Sequence, residues 1–463
     1  MSSKIYSNLI IKFILFVSSN SILFSQSIEV YFNKSVNVNL ANPLENKSKV
    51  TDLAKLVTNI IDSAKTTIDI AMYSLNMNNV TDALKKAKLR GVVVRVISHI
   101  DNFTSTGNNF QKLIQNGINV ISNPKIDSGI QPLMHNKFCV IDNSMVVTGS
   151  WNATYNGTYL EANNLVIVND KLVSETFTTE FNEMWGSENQ LPDLQKSKFG
   201  SSKTDNTNHN FKLFDGTEIE VYFSPSDKLT SKIVRQIDLS KNCIYTSNLT
   251  MTSNEISNAL KRNKENNKSD IRCLIDNTSD QGSVYNFLQT FCDALAWGND
   301  SILLHHKYAI TDVIPFQSTK NSSVTTGSFN FTYSAESRND ENLIVIHNSL
   351  IANQFLQEFS NRYKEANGLR DFNSITSVEN DIFEDIKLYQ NSYSNIIWIE
   401  NLSQYEFNYE LYSNIGNFLI SNSIEPNNLL SKIDLITFPK GVYWLKTIIQ
   451  GKLIFKKILI LNQ

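Results

Sequence analysis

Histidine and lysine recur at the same two-residue spacing in two segments of the 463-residue chain. The first segment contains His135 and Lys137, and the second contains His305 and Lys307. Residues i and i+2 of a β-strand point to the same face, so each strand would present an imidazole beside a fixed positive charge. Imidazole serves as a nucleophile or a proton carrier, and ammonium neutralises an anion. The spacing therefore predicts chemistry on an anionic substrate.

Both pairs are followed by the same order of residues. An aspartate comes five positions after each lysine, and a Gly-Ser-x-Asn run follows; these residues are Asp142, Ser150 and Asn152 in the first segment and Asp312, Ser328 and Asn330 in the second. Hydroxyls and amides donate hydrogen bonds, so we expect the serines and asparagines to bind phosphate oxygens. The aspartates belong to the candidate catalytic set, with a structural role near the strand turn as the alternative. His306 is out of register, which makes His305 the motif residue.

Two such sets facing each other would enclose a phosphodiester. Lys137 and Lys307 would neutralise its non-bridging oxygens, a form of preorganised electrostatic stabilisation. One histidine would attack phosphorus and form a phosphohistidine, while the other would protonate the leaving oxygen and later accept a proton from water. This chemistry uses no cofactor, and because the sequence shows no cluster of metal ligands we expect no metal. Chance explains one His-x-Lys pair, but not two copies within a longer repeat.

That longer repeat covers most of the chain. Residues 28–32 (Ile-Glu-Val-Tyr-Phe) recur at 219–223, and each copy continues into a His-x-Lys strand and an Asn-Leu strand. Apolar residues at helical spacing lie between the strands, for example Leu53, Val57 and Ile61. Strands alternating with helices predict an α/β/α sandwich in each half, with the two halves packed as a pseudo-dimer.

Composition shifts suggest the domain boundaries. We predict a first half at 26–186, a polar linker at 187–213, a second half at 214–370 and a second linker at 371–385. Short β-like runs predict a small all-β domain at 386–463. Among the four cysteines, Cys243 and Cys273 lie in two predicted buried strands, and we expect buried free thiols, with a disulfide between the two as the alternative.

The N-terminus resembles a secretory signal peptide, assigned to residues 1–25. Lys4 and Lys12 precede an apolar stretch, and the small residue Ser25 ends it. A membrane anchor is the alternative, but polar residues interrupt the stretch, and a bilayer span needs ~20 apolar residues. We therefore expect an exported protein without a stable membrane span. The net charge of −3 does not support tight non-specific binding to nucleic acid, although a local positive cleft stays open.

The two motifs resemble those of the phospholipase D superfamily over roughly residues 28–365. The segment from Gly327 to Leu343 is especially similar to the bacterial endonuclease and mitochondrial cardiolipin hydrolase branch. The resemblance implies α/β/α halves and a metal-independent phosphohistidine mechanism. The tail, with Phe438, Pro439 and Tyr443, resembles a type IX secretion sorting domain, although Gln390-Asn391-Ser392 replaces the usual opening turn. That likeness implies type IX secretion machinery as a partner and a secreted or cell-surface location; a small binding β-sandwich is the alternative.

The resemblance also implies a residue that orients each histidine, just before the Asn-Leu strand. Glu341 fills this position in the second half and Asn163 fills it in the first. A carboxylate favours imidazolium and an amide leaves the imidazole neutral. With each partner serving the histidine of its own half, His135 would be the nucleophile and His305 the acid. Glu161 is an alternative partner for the first site.

Three functions compete at this point. The first is a phospholipase, the second is an extracellular endonuclease acting on DNA or RNA, and the third is an inactive surface-binding protein. Two intact motifs argue against the third function. Phospholipid and nucleic acid share the phosphodiester, so the motif does not choose between them. A monomer suffices, because both motifs lie on one chain.

Overall fold

The computed structural model describes residues 27–463 except 43–44, 106–107, 300, 314–320, 371, 373–385, 391–395, 402–405, 426–427, 436, 450–451 and 461–463. The signal peptide predicted at 1–25 lies outside these residues, as does the linker at 371–385 apart from Phe372.

The first half is built around an eight-stranded mixed sheet. Its strands follow the order β2-β1-β9-β7-β6-β3-β4-β5. The strands of this half are β1 (Ile28–Phe32), β2 (Lys49–Val50), β3 (Thr67–Met72), β4 (Val93–Ser98), β5 (Asn119–Ser122), β6 (Lys137–Ile141), β7 (Met145–Gly149), β8 (Glu161–Ala162) and β9 (Asn164–Val168), and its helices are α1 (Leu53–Ser63), α2 (Asn78–Leu89), α3 (Ile100–Thr104), α4 (Asn109–Gln115) and α5 (Lys171–Trp185). The side chains of Asp52 and Asp170 cap the first turns of α1 and α5, which fixes where these helices begin.

The second half repeats this architecture. Its sheet has the order β10-β11-β18-β17-β16-β12-β13-β14, the same sequence of strand roles. Its elements are β10 (Asn210–Lys212), β11 (Glu218–Ser224), α6 (Leu229–Leu239), β12 (Cys243–Asn248), α7 (Asn254–Asn267), β13 (Asp270–Ile275), α8 (Tyr285–Leu288), β14 (Asp293–Ala296), β15 (Leu303–Leu304), β16 (Lys307–Thr311), β17 (Ser323–Gly327), α9 (Tyr333–Ser337), β18 (Glu341–His347) and α10 (Ser349–Glu365). The predicted α/β organisation in two halves is confirmed.

A shared core joins the halves. One cluster of buried apolar side chains contains residues of α5 from the first half and α10 from the second, including Phe177, Phe181, Phe355 and Phe359. A separate cluster of buried apolar side chains fills the outer side of each of the two sheets. Burial of apolar area at about 25 cal/mol per Å² makes this central layer a large contribution to the association of the halves. The site between the halves is therefore held by a packed interface.

The segment predicted as a polar linker at 187–213 contributes to the fold. Asn210–Lys212 forms the edge strand of the second sheet, so the second half begins before residue 214. Lys203 is buried and forms ion pairs with Glu180 and Asp340, which lie in different halves. The polar composition of this segment predicted a linker, but the partners that bury Lys203 are distant in sequence and are not visible in composition.

The tail contains a three-stranded and a four-stranded antiparallel sheet. Its strands are β19 (Ile386–Gln390), β20 (Ile396–Asn401), β21 (Phe407–Ser413), β22 (Phe418–Ile424), β23 (Asn428–Asp434), β24 (Gly441–Ile449) and β25 (Lys452–Ile460). An all-β tail agrees with the prediction, while its identity as a sorting domain stays a prediction. All four cysteines are free thiols. Among the described residues, no helix combines the length and apolarity that a bilayer crossing requires.

Candidate active site

The two His-x-Lys segments meet where the halves join. Lys137 opens β6 and Lys307 opens β16, and each histidine lies two residues earlier, at the entry to its strand. The His135 amide donates to the Asp340 carbonyl at 3.0 Å, and the His305 amide donates to the Ala162 carbonyl at 3.1 Å. Each histidine backbone is thus anchored to the opposite half. A short parallel ladder between β8 and β15 supports the second of these contacts.

Both imidazole rings bind across the interface. His135 Nδ1 lies 2.7 Å from Glu341 Oε2, and His305 Nδ1 lies 2.9 Å from Asn163 Oδ1. The prediction that Glu341 and Asn163 orient histidines of their own halves is therefore wrong: the partners are exchanged. The exchange follows from the packing, which brings the start of β18 against the first motif and the residue before β9 against the second.

Glu161 also lies beside the second histidine. Its Oε2 atom is 3.6 Å from His305 Nδ1, and the Asn163 amide donates to the same oxygen at 3.3 Å. Glu161 was the alternative partner for the first site, so this prediction is corrected as well. His305 therefore has a neutral partner in contact and a carboxylate slightly farther away.

The two motif serines bind the residues that hold the histidines. Ser328 Oγ donates to Glu341 Oε2 at 2.7 Å, and Ser150 Oγ donates to Asn163 Oδ1 at 2.8 Å. Each hydroxyl also accepts from the amide of the following Asn-Leu strand, at Asn342 and Asn164. A serine hydroxyl has one proton, which is already used here. The predicted phosphate-binding role of Ser150 and Ser328 is corrected to fixing the residues that hold the histidines.

The asparagines of the same motifs remain available. Oδ1 of Asn152 and Oδ1 of Asn330 are buried without a hydrogen-bond partner in the described part of the chain. Buried polar atoms are normally satisfied, so each of these carbonyl oxygens has room for a donor such as water or a substrate hydroxyl. Binding of phosphate oxygens would fall to the Nδ2 groups of the same amides and stays a prediction.

The glycine of each Gly-Ser-x-Asn run is required by close backbone approach. Gly149 has φ of 147°, and a Cβ there would lie 2.4 Å from the Asn164 carbonyl oxygen. Gly327 has φ of 146°, and its Cβ would lie 2.3 Å from the Asn342 carbonyl oxygen. Only glycine allows this conformation and this contact. The motif thus positions its serine by bringing two strands together at the site.

The lysines lie inside the site and are tied to the histidine backbone. Lys137 Nζ donates to the His135 carbonyl at 2.8 Å, and Lys307 Nζ donates to the His305 carbonyl at 2.7 Å. Burial lowers the pKa of Lys307 to about 7 and holds the pKa of Lys137 well below its usual value, while Glu341 acts in the opposite direction. Two desolvated ammonium groups favour binding of a dianionic transition state.

Burial also dominates the titration of both histidines. It lowers the pKa of His135 to about 4, although Glu341 opposes this shift. It holds the pKa of His305 well below the usual value, and the charges of Lys307, Lys137 and His135 lower it further. Both rings are therefore neutral near pH 7 in the free protein. The two rings lie at the same interface, each held by a side chain of the opposite half.

The two motif aspartates are structural. The Asp142 carboxylate accepts from the amides of Lys65, Thr66 and Thr67, and the Asp312 carboxylate accepts from those of Lys241 and Asn242. Each aspartate directly follows the strand that its lysine begins. At 3.3 Å per residue, the aspartate is about 16 Å from that lysine. Their inclusion among the catalytic residues was wrong, and the alternative structural role is the one observed.

His306 points away from the site, as its register predicts. It binds Glu358 at 3.0 Å and Asn164 at 3.2 Å in the buried interface. Sequence reasoning missed Tyr73, whose ring packs edge-on against His135 with centroids 5.0 Å apart and lies 5.3 Å from Lys137 Nζ. Tyr73 directly follows β3, and β3 pairs with β6, the strand that Lys137 begins. This place beside the first motif could have identified Tyr73 from the sequence.

Two similar halves that place one histidine and one lysine each in a shared buried site define the phospholipase D type of fold and site. The family described as cardiolipin synthase, PLD-like domain, matches residues 57–185 and 233–363, which together are more than half of the chain. The protein belongs to this family.

Individual relatives agree with this assignment. A mitochondrial cardiolipin hydrolase of Drosophila melanogaster is 33% identical over 154 residues, covering 29% of this chain and 58% of the relative. A phospholipase D of Rickettsia felis is 32% identical over 126 residues, covering 27% of this chain and 59% of the relative. The chain thus spans less than two thirds of the length of either relative.

A solved structure shares the fold over both halves. Phosphatidylserine synthase of Haemophilus influenzae superposes with a TM-score of 0.52 at 9% identity, covering 73% of this chain and 86% of that one. At this identity the likeness concerns the fold alone.

Proposed function

We propose that the protein is a phosphodiester hydrolase that works through a covalent phosphohistidine at His135 and needs no metal ion. The observation that carries this proposal is the buried contact between His135 Nδ1 and Glu341 Oε2 across the two halves. A hydrogen bond at Nδ1 leaves Nε2 of a neutral imidazole with a lone pair, which is the requirement for attack on phosphorus.

The charge of the partner alone would favour His305 as the nucleophile, because its direct partner, Asn163, is neutral. Burial keeps both rings neutral, however, so partner charge does not separate them in the free protein. The intermediate does separate them, because a phosphorylated imidazole that keeps its Nδ1 proton carries positive charge in a buried site. Glu341 supplies the counter-charge at His135, whereas the direct partner of His305 is neutral.

His305 then acts at the opposite side of the phosphorus. It transfers a proton to the leaving oxygen as the O–P bond breaks, and it later accepts a proton from the water that hydrolyses the phosphohistidine. Binding of the anionic substrate favours its protonated form, with Glu161 3.6 Å away as additional support. The phosphoryl oxygens are held by Lys137 and Lys307 and by the Nδ2 groups of Asn152 and Asn330, which donate where Oδ1 only accepts.

Hydrolysis in the presence of EDTA tests the proposal. Purified protein is offered mixed phospholipids, supercoiled plasmid and single-stranded DNA, with His135→Ala as the control. We expect metal-independent cleavage that the control loses by at least ~10³-fold. A requirement for a divalent metal, or unchanged activity of the control, would remove the basis for the proposal; cleavage of plasmid alone would make the enzyme an endonuclease.

We also propose that the protein is exported by the N-terminal signal and displayed or released through its tail. The order of charged, apolar and small residues in 1–25 and the all-β tail support this proposal. Fractionation of the producing cells, with and without residues 386–463, tests it. We expect the full chain at the surface or in the medium and the truncated chain retained.

A further inference from the structure

The two lysines of the site have different neighbours in their sheets. Lys307 is paired across strands with Asn248, the last residue of β12, and Lys137 is paired with Met72, the last residue of β3. Cross-strand neighbours leave the sheet on the same face, so Asn248 and Met72 each lie beside the lysine of their own half. The second half thus offers a buried amide where the first half offers an apolar side chain.

The side chain of Asn248 is buried without a partner. It is 0% exposed, and neither its Oδ1 nor its Nδ2 has a hydrogen-bond partner among the described residues. Buried amide groups are normally satisfied, so this one points to a small molecule that both donates and accepts hydrogen bonds. Water does both, whereas the non-bridging oxygens of a phosphodiester only accept.

The sheet face behind Asn248 and Lys307 is polar as well. Two residues further along each strand, Thr246, Ala309 and Thr325 lie side by side on the same face. The hydroxyls of Thr246 and Thr325 are buried, and within the described part of the chain neither has a hydrogen-bond partner. Ala309 lies four residues after His305, so this row lies behind the position of the phosphate. Water is the molecule that suits hydroxyls buried at this depth.

The same positions in the first half are apolar. Ile70, Cys139 and Val147 lie side by side in the row behind Met72 and Lys137. All of these residues except the lysine belong to one buried apolar cluster. The scaffold of the two halves is repeated, but the polarity of the sheet face beside the lysine is not. Such an asymmetry is expected if only one side of the site receives water.

The proposed reaction needs water on one side only. His135 attacks phosphorus from its own side, and the leaving oxygen departs toward His305. Displacement at phosphorus runs in line, so the water that hydrolyses the phosphohistidine approaches from the side that the leaving group has left. Asn248 lies on that side, because its neighbour Lys307 donates from Nζ to the His305 carbonyl at 2.7 Å.

We infer that Asn248 holds the hydrolytic water, and that Thr246 and Thr325 bind further buried water molecules behind it. The inference rests on the proposed function, because it assigns a water molecule to the second step of that reaction. The oxygen of this water bonds to phosphorus, and His305 accepts one of its protons. The bond between phosphorus and His135 Nε2 breaks, and its electron pair returns to the imidazole. Asn248 is thus a residue that positions water for the second step and takes no part in the first.

The kinetics of Asn248→Met test this inference, because the substitution gives the second half the residue that the first half has. With a p-nitrophenyl phosphodiester, the first turnover of p-nitrophenolate reports phosphorylation of His135, and decay of the trapped phosphoenzyme reports hydrolysis. We expect a first-turnover rate within about threefold of the wild type. Hydrolysis should be slower by about tenfold or more, because the water loses two hydrogen bonds, each worth about 2–10-fold. Met72→Leu is the matched control and should change neither rate by more than about twofold.

Added ethanol distinguishes a water site from a structural role. Ethanol has one hydroxyl proton and an ethyl group that a position filled by a buried amide does not accommodate, so the wild type should transfer the phosphoryl group mainly to water. In Asn248→Met, the ratio of transfer to water over transfer to ethanol should fall by about tenfold at equal ethanol concentration. A general loosening of the fold would slow both steps and leave this ratio unchanged.

The outcomes separate the two proposals. Equal slowing of the first turnover and of hydrolysis, or an unchanged ratio of transfer to water and ethanol, overturns the water site and leaves the hydrolase intact. Absence of hydrolysis by the wild type overturns the hydrolase and the catalytic role of the water with it. A high-resolution crystal structure then decides whether water is bound at Asn248, as it does if Asn248→Met does not fold. We expect an ordered water within hydrogen-bond distance of Asn248 Oδ1 or Nδ2 and a second at Thr246, and unoccupied density at both positions overturns the water site.

Discussion

Replacing Glu341 with glutamine tests how much the contact between the halves contributes to catalysis. Glutamine keeps the size of the side chain and one oxygen acceptor, so the hydrogen bonds from His135 and Ser328, both 2.7 Å long, can be retained. What is lost is the negative charge, in a position with 0% exposure. The variant therefore removes the counter-charge of the proposed phosphohistidine together with one weaker contact, the hydrogen bond that Glu341 Oε1 accepts from Asn339 Nδ2 at 3.3 Å.

The size of the effect follows from the cost of an unpaired buried charge. Leaving one member of a buried ion pair without its partner costs about 3–5 kcal/mol. Each 1.36 kcal/mol in the barrier is tenfold in rate, so kcat should fall by about 10²–10⁴. Asn163→Ala removes a neutral hydrogen bond to His305, worth about 0.5–1.5 kcal/mol, and should reduce kcat per folded molecule by about 2–10-fold. It also removes the hydrogen bonds of Asn163 with Ser150, Gly157 and Glu161, which should lower stability.

The assay is steady-state hydrolysis of a chromogenic phosphodiester together with thermal unfolding of each variant. Glu341→Gln should unfold at a lower temperature than the wild type, because the pKa of Glu341 is lowered, which means that His135, Lys137 and Ser328 stabilise its charge by more than burial disfavours it. The kcat values are therefore compared per folded molecule. A loss of kcat smaller than tenfold in Glu341→Gln, or a larger loss in Asn163→Ala, would refute the role given to Glu341.

Three further predictions concern the same site. Because His135, with a pKa of about 4, must be neutral to attack, kcat/KM of the free enzyme should rise through that pH. Because His305, whose pKa burial holds well below its usual value, must be protonated, and Lys307, with a pKa of about 7, must be charged, kcat/KM should already fall below neutral pH and fall further above pH 7; a profile rising to pH 9 contradicts this. Asp142→Ala should lower the free energy of unfolding by about 1–3 kcal/mol, because the hydrogen bonds from the amides of Lys65, Thr66 and Thr67 are lost. The kcat per folded molecule should be unchanged. Urea denaturation measures the first value and steady-state kinetics the second. Gly149→Ala should cost at least about 1–3 kcal/mol, because its Cβ would lie 2.4 Å from the Asn164 carbonyl oxygen; an unchanged urea midpoint would show that the strands can separate without loss.

Much of the fold could be predicted because it depends on local periodicity. The i, i+2 relation placed each histidine and lysine on one face, and the repeat predicted two sheets with equivalent strands. The helical spacing of Leu53, Val57 and Ile61 is observed as α1 (Leu53–Ser63), in which all three side chains are buried. Short-range patterns of this kind need no knowledge of distant partners.

The rest of the site depends on contacts between residues far apart in sequence. Glu341 and Asn163 were recognised as partners of the histidines, but a repeat does not show which copy packs against which, and the interface exchanges them. The serines were assigned to phosphate because a hydroxyl can bind it, whereas their protons are used by those same partners. Hydrogen-bond capacity is visible in a sequence, but its occupation depends on the packing.

Trapping the covalent intermediate tests the central claim most directly. With a labelled phosphodiester that has a p-nitrophenolate leaving group, which departs without a proton, His305→Ala should still form the phosphoenzyme and hydrolyse it slowly. Acid quenching and peptide mapping should then find the label on His135, and His135→Ala should show none. Label on His305, or full activity without any trapped phosphohistidine, would contradict the account.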